Sequence, residues 1–181
     1  MAKKNEGKRF EEDCKLSVPE YALLYRLPDP PQSFGKSSNL RFSRKNPFDF
    51  ILWDSKRRTL FALEMKTVKG KSISFERTKE ENKEIHLHQI DGLNEWNKFD
   101  GTTCGFVIEF RKIETTVFID IETFNKLSET ITKKSFNIHD LVENDLPFHV
   151  ISQKKVRTRY RYDFNGFLDE ISEEDYEKKR H

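Results

Sequence analysis

Cysteine is nearly absent from this sequence: Cys14 and Cys104 are the only two among 181 residues, and they lie far apart. Two distant cysteines provide neither a disulfide framework nor the paired ligands of a structural zinc site. Long apolar runs are also missing, so we expect no membrane span, and the residues after Met1 do not form the apolar core of a signal peptide. We therefore expect a reduced, cytoplasmic protein.

A strong excess of one charge is missing too. The 33 basic and 31 acidic residues leave a net charge of +2, so bulk charge alone does not indicate a nucleic-acid-binding protein. The distribution is more informative, because basic residues cluster in 36–45 and 154–161, whereas 169–181 is rich in acids. A basic body can bind an anionic partner, although for any single cluster a solvated surface is the simpler explanation.

The length is sufficient for one domain with a substantial core. Sixteen phenylalanines and a mean hydropathy of −0.82 indicate an aromatic core beneath a charged surface. We place the domain at residues 1–168 and a charged tail, expected to be frayed or disordered, at residues 169–181. Within the domain, the proline-rich and basic residues 28–46 predict a long loop or a projecting arm. Predicted helices at both ends of a central group of strands indicate a mixed α/β sheet with helices against its faces.

Residues 46–66, NPFDFILWDSKRRTLFALEMK, predict a β-hairpin in which charges occupy unexpected places. Asp49 lies inside the first apolar run, and Glu64 and Lys66 lie inside the second. Side chains alternate along a strand, so Glu64 and Lys66 point to the same face, and Asp49 approaches them from the neighbouring strand if the register allows. Such charges within apolar strands need a chemical explanation.

Two converging carboxylates repel each other unless a cation lies between them. Oxygen ligands with open water positions suit Mg²⁺, with Mn²⁺ as an alternative. Such an ion acidifies a bound water and stabilises charge on a phosphate, and a neighbouring lysine neutralises developing negative charge. The arrangement therefore suits phosphodiester hydrolysis. The competing interpretation is an ordinary salt bridge of Lys66 with Glu64 or Asp49 on an exposed sheet face.

The same residues resemble a known nuclease signature. NPFDF followed by LFALEMK is similar to the PD-(D/E)xK motif, and the order of further segments resembles the RecU family of Holliday junction resolvases. Those segments are GKRFEED, HLHQIDGL, GFVIEF, KKSFNIHDL and RYRYDF, and residues 28–46 lie where the family has its stalk. The resemblance implies a restriction-endonuclease-like fold, in which helices flank a mixed central sheet and a stalk projects from it.

The resemblance also implies roles for individual residues. Asp49 and Glu64 would ligate the metal, and Lys66 would be the catalytic lysine. Glu11, from the first helix, would be an additional acid at the site. Gln89 would approach the site from the helix that contains HLHQIDGL, in agreement with its place on the predicted core-facing side of that helix.

The implied substrate is branched double-stranded DNA. The family resemblance predicts a Mg²⁺-dependent homodimer that resolves Holliday junctions by paired nicks, in DNA recombination and repair. Recognition would depend on phosphate contacts and shape. The basic residues that we expect to contact DNA are Lys36, Arg41, Arg44 and Lys45 in the arm, and Arg157 and Arg159 in RTRYRYDF. For Arg157 and Arg159, a solvated basic edge strand is an equally good explanation.

Two other functions stay open. One is a general, phage or restriction-type DNA nuclease on the same fold. The other is a non-catalytic DNA-binding or regulatory protein, although the retained Asp49, Glu64 and Lys66 argue against it.

His86 and His88 are a further candidate for a metal site. On a predicted helix, a spacing of two residues separates them by about 200°, so we expect two ordinary helix histidines that share no ion.

Overall fold

The computed structural model describes residues 5–28 and 45–178, and the side chains up to residue 172. Almost all of the predicted arm at 28–46 lies outside the described residues. The same holds for Lys36, Arg41 and Arg44, whose predicted DNA contacts are therefore not addressed.

The described residues form five α-helices and ten strands. The helices are α1 (Glu6–Lys15), α2 (Leu87–Trp96), α3 (Ile121–Thr130), α4 (Ile138–Glu143) and α5 (Phe164–Lys178), with a short 3₁₀ helix at Arg111–Ile113. The strands are β1 (Ala22–Arg26), β2 (Phe50–Asp54), β3 (Thr59–Val68), β4 (Ser72–Ser74), β5 (Thr102–Phe110), β6 (Thr115–Asp120), β7 (Ser135–Asn137), β8 (His149–Ile151), β9 (Gln153–Val156) and β10 (Arg159–Tyr162).

Six of these strands form one mixed sheet, in the order β1-β2-β3-β5-β6-β8. The β3–β5 pair is parallel, and the other neighbours are antiparallel. A parallel pair needs a crossover connection, and α2 is part of it. The expected mixed central sheet flanked by helices is confirmed, as is the β2–β3 hairpin.

Side chains of the sheet pack into two apolar clusters, one on each face. The first cluster includes Ala62 of β3 and lies beneath α2, α3 and α4, and we call this side the α2 face. The second includes Leu63 and Met65 of β3, together with Phe10 of α1 and Phe167 of α5. Both faces are covered, so β3 is buried on either side. Its alternation places Glu64 and Lys66 on the α2 face.

Side chains that precede the helices fix where several of them begin. Asn5 accepts the N–H of Lys8 at 3.2 Å before α1, and Asp120 accepts the N–H of Thr123 at 2.8 Å before α3. Such caps satisfy N–H groups that have no partner within the helix. His86 precedes α2 without a side-chain cap hydrogen bond. The first N–H of that helix, from Leu87, is instead accepted by Glu76.

The C-terminal residues differ from the predicted charged tail at 169–181. Helix α5 begins at Phe164 and continues through this boundary to Lys178. Ile171 is 6% exposed and belongs to the cluster around α1 and α5, and Asp169 pairs with Arg57. The predicted tail at residues 169–181 therefore overlaps α5, because the apolar positions of the helix extend beyond Leu168.

A close approach between Gly92 of α2 and Pro47 links the helix to the segment before β2. A β-carbon at Gly92 would lie 2.4 Å from Cβ of Pro47 and 2.8 Å from its carbonyl oxygen. The next residue, Phe48, packs edge-on against Trp96 of α2, with ring centroids 5.0 Å apart. Helix α2 thus holds the chain that leads directly to Asp49.

Replacement of Gly92 by alanine tests this contact. We expect Gly92→Ala to lower the free energy of unfolding by about 1–3 kcal/mol, because the methyl group overlaps Pro47 and the helix must move. Urea denaturation followed by tryptophan fluorescence would measure it. Gly70→Ala is the control, since the nearest atom to its β-carbon is 3.8 Å away. Equal stability of the two variants would contradict the close packing.

Candidate active site

Glu64 and Lys66 meet on the α2 face of β3. The Nζ atom of Lys66 lies 2.8 Å from Oε1 of Glu64. Glu64 is completely buried, whereas Lys66 is partly exposed. A salt bridge is thus present, as the competing interpretation required, but it does not lie on an exposed sheet face. The carboxylate is inside the protein, and the Lys66 side chain is 18% exposed.

Gln89 reaches the same carboxylate from the first turn of α2. Its Nε2 atom donates to Oε1 of Glu64 at 2.5 Å, and its Oε1 atom accepts the backbone N–H of His86 at 2.9 Å. A backbone N–H can only donate, so the amide oxygen of Gln89 faces His86 and its NH₂ group faces Glu64. The structure therefore brings Glu64, Lys66 and Gln89 together.

The second oxygen of Glu64, Oε2, is buried without a hydrogen-bond partner. Burial raises the pKa of the Glu64 carboxyl to about 8; Lys66 opposes this shift, and the negative charge of Asp49 adds to it. Asp49 comes close to Glu64 because it immediately precedes β2, where its carbonyl accepts the N–H of Leu27 at 2.8 Å. Two carboxylates therefore converge beside an unpartnered buried oxygen.

This donor set fits a divalent cation. Asp49 and Glu64 offer hard oxygen ligands, and a cation between them would offset both their repulsion and the cost of the buried oxygen. Within the described residues, no group of three or more acidic, histidine or cysteine side chains is arranged to hold a metal. Two protein carboxylates leave positions for water and phosphate oxygens, as Mg²⁺ sites commonly do.

Glu11 lies near the start of β2. Its Oε2 atom is 3.1 Å from Nε of Arg26, and Arg26 is the register partner of Phe50, next to Asp49. Helix α1 therefore delivers Glu11 to the end of the hairpin where Asp49 lies. Its role as an additional acid at the site stays a prediction.

The two histidines are arranged differently from our expectation. His86 has extended backbone angles and precedes α2, so the helical spacing does not apply to the pair. The rings of His86 and His88 stack, with centroids 5.4 Å apart and planes 19° apart. Burial lowers the pKa of His88, and Lys45, His86 and Lys66 lower it further. His88 and Lys45 therefore belong to the surroundings of Lys66.

A sequence signal for this helix start was present. Gln89 follows His86 by three residues, and a Gln or Glu at the third position of a helix commonly accepts the N–H of the residue before the first turn. That spacing indicates that His86 precedes the helix and that His88 lies within it. The helical angle between the two histidines should therefore not have been applied to them.

Glu76 provides the cap that His86 lacks. Its Oε2 atom accepts the N–H of Leu87 at 2.8 Å, and its Oε1 atom lies 2.8 Å from Nδ1 of His86. The contact with His86, followed by the N–H of Leu87, lowers the pKa of Glu76 to about 2. No sequence motif indicated this residue, which lies eleven positions before Leu87.

Arg159 has intramolecular partners. Its Nε atom lies 2.5 Å from Oδ1 of Asp13, and its Nη2 atom lies 2.9 Å from Glu12. Asp13 is 2% exposed, and it also accepts the N–H of Tyr160 at 3.2 Å. These contacts attach the β9–β10 hairpin to α1. Arg157, at the exposed turn of that hairpin with φ of 58°, lies outside this cluster.

A separate cleft of about 450 Å³ lies between α1 and the β9–β10 hairpin. Its lining includes Arg9, Arg111 and Lys155, but also Glu109 and Glu114. The mixed charges do not mark a site for an anion, and the cleft is not lined by Asp49, Glu64 or Lys66.

No protein-family profile matches the chain. It is 28% identical over 183 residues to the SPbeta prophage-derived uncharacterized protein YotM of Bacillus subtilis strain 168, across 94% of this chain and 89% of that protein. Among solved structures, it is similar to Hjc, a Holliday junction resolvase of the archaeal hyperthermophile Archaeoglobus fulgidus. That match has a TM-score of 0.47 and 15% identity, and it covers 74% of this chain and 90% of the other. Neither similarity assigns the chain to a family.

In the described part of the chain, no helix has both the length and the apolar surface that a bilayer crossing requires.

The ion pair of Arg159 predicts a structural role for this residue. We expect Arg159→Ala to lower the melting temperature, because Asp13 would stay buried with less compensation of its charge. The exposed Arg157 is the matched control, and Arg157→Ala should have little effect on melting. Differential scanning calorimetry would measure both. Unchanged melting of Arg159→Ala, together with weaker DNA binding, would favour the original prediction of a DNA contact.

The low pKa of Glu76 predicts a pH-dependent contribution to stability. Its pKa of about 2 lies below its ordinary value of 4.5, so the ionised group stabilises the fold. That contribution is complete above about pH 5 and is lost as pH falls through about 2. We expect wild type to exceed Glu76→Gln in unfolding free energy at pH 6, with the difference shrinking towards pH 2. Urea titrations across this range would measure it, and a difference independent of pH would contradict the assignment.

Proposed function

We propose that the protein is a metal-dependent endodeoxyribonuclease that acts on branched DNA and resolves Holliday junctions by paired nicks. The observation that supports it most directly is the buried Glu64 carboxylate. One of its oxygens is held by Lys66 and Gln89, and the other lies unpartnered where Asp49 approaches. An ordinary structural salt bridge does not need a second converging carboxylate.

Each residue has a distinct task in this proposal. Asp49 and Glu64 would hold Mg²⁺, or Mn²⁺ in its place. A bound ion of this kind lowers the pKa of water and stabilises charge on the phosphate. Gln89 keeps Glu64 in one orientation. Lys66, whose side chain is partly exposed and contacts the carboxylate, can orient an attacking water or neutralise charge that develops on the phosphate.

The DNA substrate is supported by positive charge near these carboxylates. Lys45 and Lys66 both lie close enough to His88 to lower its pKa. Arg157, exposed on the separate β9–β10 hairpin, is a further predicted phosphate contact. Phosphate contacts of this kind position a duplex without reading its bases. The preference for branched DNA rests on the sequence resemblance to the RecU family.

The proposal includes a homodimer, in a cytoplasmic role in recombination and repair. Resolution of a four-way junction needs two related cuts, and a twofold assembly provides two related sites. Two alternatives remain: a general, phage or restriction-type nuclease on this fold, and a non-catalytic DNA-binding or regulatory protein.

Cleavage of a labelled four-way junction, compared with a linear duplex of the same sequence, tests the proposal. Reactions would contain Mg²⁺, Mn²⁺ or EDTA. Paired symmetric nicks on the junction alone, lost with EDTA, would support junction resolution. Equal cutting of both substrates would support a general nuclease instead. Tight binding without cutting under either metal would support the binding-protein alternative and overturn the nuclease proposal.

Substitution of Lys66 separates catalysis from binding. We expect Lys66→Ala to reduce the cleavage rate by about 10²–10³-fold, because charge that develops on the phosphate would lose its positive partner. Affinity for the junction should change little in a gel-shift titration. Lys71→Ala is the control, since Lys71 is exposed beyond the end of β3. A Lys66→Ala variant that cleaves like wild type would remove this lysine from the mechanism.

Direct metal binding offers a second test. We expect calorimetric titration with Mn²⁺ to show binding to wild type and its loss in Asp49→Asn and Glu64→Gln, because each variant removes a charged ligand. Glu84→Gln, on the exposed loop after β4, is the control. Unchanged Mn²⁺ binding in both site variants would contradict the proposed metal ligands.

A further inference from the structure

A continuous set of contacts leads from Glu76 to the Glu64 carboxylate. Glu76 accepts the N–H of Leu87 and contacts the ring of His86, both at 2.8 Å. The backbone N–H of His86 donates to Gln89 at 2.9 Å, and Gln89 donates to Glu64 at 2.5 Å. Only His86 and Gln89 lie between Glu76 and Glu64 in this series of contacts. Loss of the Glu76 carboxylate would therefore be transmitted to Glu64 through these two residues.

The first turn of α2 depends on Glu76. His86, the residue before the helix, forms no side-chain cap hydrogen bond, and no acidic residue lies in the first turn. Gln89 accepts the N–H of His86, which leaves the N–H of Leu87 to Glu76. The first N–H groups of a helix lack partners within it, and they attract negative charge. The carboxylate of Glu76, only 7% exposed, supplies both an acceptor and a charge from a different part of the chain.

Backbone contacts hold Glu76 beside the helix start. The N–H of Glu76 donates to the carbonyl of Ile85 at 2.9 Å, and the N–H of Ile85 donates to Ser74 at 3.0 Å. Phe75 and Ile85 form an isolated parallel bridge, and both are buried. These contacts close the base of the loop at residues 77–84. Glu76 therefore lies against His86 although ten residues separate them.

The orientation of Gln89 has a consequence at Glu64. Lys66 and Gln89 both contact Oε1, so Oε2 stays without a partner. If the first turn of α2 moved, the amide of Gln89 would lose the N–H of His86 and could rotate. Glu64 would then no longer be restricted to the orientation in which Oε2 is directed away from both donors.

We propose that Glu76 is a positioning residue for the site: it holds the first turn of α2 so that Gln89 fixes the Glu64 carboxylate in the orientation that leaves Oε2 for a metal. This inference rests on the proposed nuclease function for its effect on cleavage. Its effect on Gln89 does not depend on that function. Glu76 itself contacts neither metal nor DNA in this proposal.

The side-chain amide of Gln89 provides a readout that is independent of activity. Its two N–H signals in a ¹⁵N NMR spectrum can be identified by their loss in Gln89→Ala. We expect Glu76→Ala to shift these signals towards those of a solvent-exposed amide. Glu76→Gln should preserve most of their positions, because its amide can still accept the N–H of Leu87. Glu84→Ala is the matched control, since Glu84 lies on the same loop but accepts the N–H of Ser74 and contacts no residue of α2 in the hydrogen bonds described.

Kinetics provide the second readout. We expect Glu76→Ala to lower kcat for junction cleavage by about 10- to 100-fold, the range found when residues that support metal ligands are changed. KM for the junction should stay within about twofold, because phosphate contacts are untouched. Glu76→Gln should recover most of kcat, and Glu84→Ala should behave as wild type. A purely structural role would lower the active fraction of Glu76→Ala without moving the Gln89 signals.

Unchanged Gln89 amide signals in a folded Glu76→Ala would overturn the inference. If Glu76→Ala does not fold, Glu76→Asp replaces it, because a side chain shorter by one methylene cannot reach both Leu87 and His86. The same shift is then expected, and its absence is equally decisive. Failure of wild type to cleave any DNA would remove the proposed function but leave the NMR test of Glu76 intact.

Discussion

The candidate site depends on one constraint: the carboxylate of Glu64 is completely buried in the sheet. A charged group removed from water must be compensated by opposite charge and hydrogen bonds. Lys66 and Gln89 provide that compensation on Oε1, whereas Oε2 has none and Asp49 adds negative charge. Such a site is incomplete as a structural ion pair, and a bound cation would balance it. The proposed metal chemistry follows from this imbalance.

Helix α2 connects the two halves of the site. It lies in the crossover between the parallel strands β3 and β5, so its first turn passes over the α2 face where Glu64 and Lys66 lie. Gln89 in that turn contacts Glu64, and Gly92 one turn later packs on Pro47, next to the segment that contains Asp49. A single helix thereby positions a donor to one carboxylate and the chain that carries the other. In the proposed mechanism, the cap at its start would therefore affect the chemistry.

Two differences between expectation and structure have physical reasons. His86 was placed on a helix, but the helix begins one residue later, where Glu76, eleven positions before Leu87, accepts the N–H of Leu87. The C-terminal tail was expected to begin at residue 169, although Ile171 extends the apolar side of α5. A tertiary contact determined the first, and the second followed a weak apolar pattern within a charged segment. The guanidinium of Arg159 compensates the buried Asp13, and its predicted DNA contact stays a prediction.

Local sequence alone determined the hairpin, the mixed α/β sheet, and the shared direction of Glu64 and Lys66. These features depend on the two-residue period of a strand, which holds wherever the strand forms. Only the tertiary structure decided that Glu64 is wholly buried, that Gln89 and Lys66 share one of its oxygens, and that Arg159 is paired within the protein. The contacts that produce these results join residues 25 and 146 positions apart. Their geometry follows from the packing of whole helices on the sheet, which no local pattern specifies.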